Sequence, residues 1–133
     1  MHSGKDNAKS LCLLLECYGR RILLPGDLEG EGVRELLTNP RRKVALYMAP
    51  HHGSLVENPQ PLLDWCEPEI VVISGGPRGA SERVKPAFGA PRRVVLNTAT
   101  EHAIRLVVRQ DGQLQLDRWV YPKWQNIPLK ASF

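Results

Sequence analysis

Four consecutive β-branched residues, Ile70-Val-Val-Ile73, closed by Ser74-Gly75-Gly76, constrain the fold of this chain more than any other stretch. A run without polar alternation, ending in a turn signal, reads as a strand buried within the protein, with its end open to a loop. The flanking sequence alternates strand and helix patterns around it. Leu11-Cys-Leu-Leu-Leu15 and Arg21-Ile-Leu-Leu24 flank Tyr18-Gly19-Arg20, which predicts an antiparallel hairpin. Val33, Leu36 and Leu37 recur at helical spacing, so a short helix spans Glu29 to Leu37 and stops before Asn39-Pro40. Lys43 to Ala49 is a third strand, and Pro59 to Trp65 is a helix with proline near its start.

Beyond the central run, Glu82 to Phe88 carries at least a helical turn, limited by Pro86. Val94 to Leu96, Ala103 to Val108 and Leu114 to Leu116 predict three more strands, the last two joined at Asp111-Gly112. The pattern is α/β: a mixed sheet with helices on one face, its other face apolar and left for a further lobe or a second copy. Residues 1–120 form this unit, and 121–133, with two prolines and little periodicity, form an extended tail. Trp119 and Trp124 are expected to pack back onto the body.

The 133 residues suit one domain or one lobe of a larger one, and 42% hydrophobic with 24% charged residues is a soluble, globular balance. No apolar run approaches the roughly 18–20 residues that cross a bilayer, and the polar start, Met1 to Ser10, lacks the apolar core of an export signal. Cys12, Cys17 and Cys66 are odd in number and lack CxxC spacing, which argues for a reducing compartment rather than a disulfide framework or zinc knuckle. The net charge of +4 gathers at Arg20-Arg21, Arg41-Arg42-Lys43 and Arg92-Arg93, short runs that read as solvated surface with some attraction for polyanions.

Two strand ends carry chemistry. Leu23-Leu-Pro-Gly-Asp27 hands a carboxylate to a loop, where Asp27 either ligates metal, each oxygen able to hold a cation, or caps the following helix. Ala49-Pro-His-His-Gly-Ser54 hands over two imidazoles. In an extended segment His51 and His52 point to opposite sides, so one would bind metal while the other lines the site; otherwise both are exposed loop histidines. The Ser54 hydroxyl can donate to a carboxylate or phosphate oxygen.

These two segments resemble the C-terminal half of the metallo-β-lactamase fold, and most closely the hydrolase-like domain of ComEC-type DNA-uptake proteins. The likeness runs from about Asn7 to Gln115: Asn7-Ala-Lys-Ser10-Leu resembles that family's Asn-x-x-Ser-Leu strand, and Leu23-Leu-Pro-Gly-Asp27-Leu-Glu29 its Leu-Leu-x-Gly-Asp-Ile/Leu-Glu. Pro50-His-His-Gly-Ser54 matches directly. The resemblance implies one half of an αββα sandwich, zinc or manganese as cofactor, Asp27 as bridging ligand and His51 as the last histidine ligand. His52, Ser54 and His102 would then face substrate, with Asp27, His51 and His52 as the catalytic set; a half-exposed strand residue is the other reading of His102. The family's His-x-His/Asp-x-Asp-His cluster and its Gly-His-Pro segment have no counterpart here, so the ligand set is incomplete.

The implied function is the distal part of a metal-dependent phosphodiesterase acting on DNA, weak by itself, completed by an N-terminal lobe or by self-association. Within a full ComEC-type protein it would sit beside a membrane; as it stands it would be soluble. Two other readings stay open: a degenerate module that binds nucleic acid or protein without catalysis, and a lobe acting on a lactone or small phosphoester.

Overall fold

A computed structural model describes residues 10–55, 58–75 and 84–129. The predicted hairpin forms as β1 (Leu13–Cys17) and β2 (Arg20–Leu24), paired from Leu13↔Leu24 to Cys17↔Arg20. Its turn is Tyr18-Gly19, with φ of 48° and 79°. Two positive φ values in a two-residue loop match the right-handed twist of the flanking strands, which is why glycine stands there.

From β2 onward the chain crosses over helices. Helix α1 (Glu31–Leu37) leads to β3 (Leu46–Met48), and α2 (Gln60–Cys66) leads to β4 (Ile70–Ile73). A single turn, α3 (Val84–Ala87), precedes β5 (Val94–Asn97). Strands β2 to β5 run parallel and β1 is antiparallel, giving a five-stranded mixed sheet in the order β1-β2-β3-β4-β5. The α/β architecture expected from the alternating pattern is the one observed.

A one-turn helix, α4 (Thr98–Glu101), goes unannounced by hydrophobic periodicity. Its signal is the cap: the buried Asn97 side chain accepts the Ala99 N–H at 2.9 Å. Then β6 (Ile104–Val108), β7 (Leu114–Val120) and β8 (Lys123–Ile127) form a separate antiparallel sheet. The expected extended tail is therefore a paired strand over 123–127. Trp119 lies opposite Trp124 with ring centroids 5.3 Å apart, an edge-to-face pair across β7 and β8. Both tryptophans pack on each other rather than into the central core.

Each face of the five-stranded sheet has its own core. On the helical face Leu23, Tyr47, Val71 and Ile73 meet Leu62, Leu63, Trp65 and Cys66 of α2, with Leu36 and Leu37 of α1 alongside. On the other face Leu46, Ile70, Val72 and Leu96 meet Leu116 of β7, flanked by Ile104, Leu106 and Ile127. The apolar face that the sequence leaves for another lobe is thus covered by the chain's own three-stranded sheet, because period-2 alternation in β6 to β8 turns their apolar side inward. Exposed leucines gather at the edge strand: Leu13, Leu14 and Leu15 of β1, with Leu11 just before it, are open to solvent. Each fully buried Leu or Ile here contributes roughly 1.5–3 kcal/mol.

The three cysteines are free, with Cys66 buried and Cys17 exposed. Burial pushes the Cys66 thiol up to about 12, against about 8.5 in an unfolded chain. The folded state holds this proton more tightly, so its stabilisation is complete below about pH 8.5 and is lost as pH rises toward 12. Urea unfolding between pH 8 and pH 10 should show stability falling with a slope approaching 1.4 kcal/mol per unit, and Cys66→Ala should flatten that limb. Equal slopes in both proteins would assign the alkaline loss to another group.

Candidate functional site

Parallel strands deliver their loops to one edge, so the turns after β2, β3 and β4 lie together at the carboxyl end of the sheet. At Gly26 φ is 61°, and a Cβ would come within 2.7 Å of the Ser10 hydroxyl and 3.2 Å of the Leu11 carbonyl. Glycine is required there by close approach as well as by conformation. The Asp27 N–H donates to Ser10 Oγ at 3.0 Å, while its carboxylate has no partner among the described residues. The capping alternative falls away: α1 begins at Glu31, and Gly30, not Asp27, stands at the cap.

The histidine segment is not extended. Residues Pro50–Gly53 form a tight turn in which His51 (φ 49°, ψ 47°), His52 (φ 55°, ψ 30°) and Gly53 (φ 78°) are all left-handed. Left-handed backbone at two successive non-glycine residues is costly and persists only where the surroundings impose it. Here the His51 N–H donates to the Gly26 carbonyl at 2.9 Å and the Ser54 N–H closes the turn on the His51 carbonyl at 3.0 Å. The first of these bonds ties the imidazoles to the loop of Asp27. The two rings are 6.4 Å apart and inclined at 57°, which corrects the expectation of opposite-pointing neighbours.

Each imidazole is held by its Nδ1. His51 Nδ1–H donates to the half-buried carboxylate of Glu29, and His52 Nδ1–H donates to the Ser74 carbonyl at 2.7 Å. Both rings therefore keep Nε2 for another partner, His51 through a carboxylate and His52 through a backbone carbonyl, the two kinds of contact by which ligating histidines are oriented. Glu29 is the residue of this cluster that sequence reasoning passed over: its motif was visible, but its contact with His51 spans 22 residues. His102, at the end of α4, is exposed, and its ring makes no hydrogen bond or ring contact among the described residues. Among the described residues no contact joins it to Asp27 or His51.

Beside His51 lies a cavity of about 30 Å³, lined by Glu29, Ser54, Asn58, Tyr47, Leu62 and Phe88. It has room for one or two waters. The Tyr47 hydroxyl is fully buried without a partner among the described residues. Burial, with smaller contributions from Cys66 and Cys12, holds its pKa well above the ordinary phenol value, so it stays a donor.

Among the described residues no three of His, Cys, Asp and Glu converge closely enough to hold a metal ion. Asp27 and His51 are two residues of metal-ligating type, against the three protein ligands that a catalytic zinc takes. No described helix is long and apolar enough to cross a membrane.

Fold and site together define an α/β chain with a mixed sheet that presents the Asp27 carboxylate and two oriented imidazoles at its carboxyl edge. No protein-family model and no solved structure matches it. The chain is similar to ComE operon protein 3 of Bacillus subtilis (strain 168), with 30% identity over 114 residues, 84% of this chain. It spans 14% of the length of that relative.

Proposed function

We propose that this chain is the C-terminal part of a metallo-β-lactamase-fold, metal-dependent hydrolase of the competence type, acting on the phosphodiesters of DNA and completed by a further lobe. The observation that carries the reading is the Glu29–His51 pair in its left-handed turn, bonded back to the loop that holds Asp27. Similarity to a ComE operon protein supports the competence and DNA-uptake setting. The exposed leucines of β1 support an additional lobe, since an apolar edge strand with an unpaired side invites another strand.

In this reading Glu29 fixes the His51 ring with Nε2 outward, and Asp27 offers a carboxylate able to bridge two cations. A bound zinc or manganese ion would supply Lewis-acid polarisation of a phosphoryl oxygen and a water of low pKa. His52, anchored on the Ser74 carbonyl, keeps Nε2 on the solvent side to meet substrate, with Ser54 beside the same turn. The remaining donors come from the completing lobe.

Elemental analysis tests this on the 133-residue chain and on a chimera in which a lobe bearing a His-x-His-x-Asp-His segment precedes it. The chimera should retain zinc or manganese, and Asp27→Asn or His51→Gln should remove most of it. Glu29→Gln should weaken metal affinity roughly 10–100-fold, the usual loss when the partner of a ligating histidine is removed. No metal in the chimera overturns the hydrolase reading.

A further inference from the structure

The peptide group between Ser74 and Gly75 stands between two side chains that come from different loops. Its carbonyl accepts the His52 Nδ1–H at 2.7 Å, and its N–H donates to Thr98 Oγ1 at 3.2 Å. A peptide group is planar and trans, so its C=O and N–H point in opposite directions and whatever holds one fixes the other. Thr98 and His52 therefore sit on the two sides of one rigid plate. The Thr98 hydroxyl also directs its own proton at the Gly75 carbonyl, over a longer 3.4 Å.

The plate lies just past β4, where Ser74 is exposed and Gly75, without a Cβ, gives the backbone a wide choice of angles. Thr98 is fixed from several directions. It opens α4 behind the buried Asn97 cap, and its carbonyl accepts the His102 N–H at 3.0 Å. The Thr100 hydroxyl donates to the Asn97 carbonyl at 3.1 Å, and Glu101 at the far end of the turn pairs with Arg118 of β7 at 2.8 Å. The three-stranded sheet thus holds α4, and α4 presents a β-branched side chain with few rotamers to the loop after β4.

We propose that Thr98 is a positioning residue for His52: through the Ser74–Gly75 peptide it keeps the ring proton on Nδ1 and leaves Nε2 as the lone-pair nitrogen that meets substrate. The tautomer of a histidine is set by the bond its other nitrogen makes. A peptide whose N–H is engaged has a more strongly accepting carbonyl, so the Thr98 bond reinforces the one to His52. The assignment rests on the proposed role of His52, and it adds the turn after β5 to those after β2, β3 and β4 that build the site.

Long-range proton–nitrogen correlation spectra of the 133-residue chain read the tautomer of each ring at about pH 8, where an ordinary histidine is neutral. His51→Gln and His52→Gln assign the signals. In the parent His52 should be a single tautomer protonated on Nδ1. Thr98→Val keeps the branched shape and removes the hydroxyl, so the His52 Nδ1–H tautomer should give way to a mixture weighted to Nε2–H. His51, held by Glu29, should keep the parent's signals, whereas a role in folding alone would move both rings together. Thr98→Ser, which restores the hydroxyl, should restore the parent's spectrum. The proposal is overturned if His52 is already a mixture in the parent, or if it keeps the parent's tautomer in Thr98→Val. It is also overturned if both rings change together, or if Thr98→Ser behaves as Thr98→Val. None of these spectra requires metal, so the hydrolase reading fails separately, by a chimera that retains none.

Discussion

Gly53→Ala is expected to lower the free energy of unfolding by about 2–5 kcal/mol and to dismantle the histidine turn. At φ 78° the residue sits where an L-side chain costs about 1–2 kcal/mol. The added Cβ would also stand 2.8 Å from Ile73 Cγ2 and 3.1 Å from Val84 Cγ1, and both side chains are buried in the helical-face core. Neither can swing away, so overpacking adds about 1–3 kcal/mol. Gly19→Ala is the control, because it has φ 79° and nothing within 4 Å of a Cβ. Urea unfolding of the two variants separates the terms: a loss at Gly53 no larger than at Gly19 would show that Ile73 and Val84 give way. The same collision should loosen His51 from Glu29, which histidine ring NMR shifts would report.

Arg105→Met is expected to cost about 2–3 kcal/mol although Arg105 is half-exposed. Its target, Asp117, is only 2% exposed, and receives Nε at 3.2 Å and Nη2 at 3.0 Å on the same oxygen. Removing the guanidinium leaves a buried carboxylate held by Gln115 Nε2 at 3.1 Å alone, and takes away the cation 4.3 Å above the Trp124 ring. Breaking a fully buried pair costs about 3–5 kcal/mol; access of water to Arg105 lowers that figure. Adding Asp117→Leu should recover part of the loss, since the orphaned charge is the larger share of it. If the double variant is no more stable than Arg105→Met, the loss lies in the tryptophan packing, and near-ultraviolet circular dichroism of Trp119 and Trp124 would show it.

Strands and helices were legible where their signals are local. Ile70 to Ile73 is a strand with the bounds its apolar run predicts, and Tyr18-Gly19 is the turn its residues favour. Asn97 could have announced α4 through its cap, but four residues carry no hydrophobic period. β8 was illegible because Pro122 and Pro128 bracket it and its partner pattern lies on β7, where Trp119 meets Trp124. The part of the site contributed by Asp27, His51 and His52 was visible as residue types after strands. Their conformations were not: positive φ is uncommon at any non-glycine residue, histidine included, and two in succession are imposed by the surroundings.

By itself the sequence determined the α/β pattern, the strand ends that carry Asp27 and the two histidines, and the resemblance these motifs bear to a hydrolase family. Only the tertiary structure decided that Glu29 holds His51, that Gly26 bonds the histidine turn, and that Thr98 reaches the peptide behind His52. The physical reason is range. Turn and helix preferences act over a few residues, whereas His51 with Glu29, or Arg20 with Glu69, meet across 22 and 49 positions through the parallel register of strands packed on a common core.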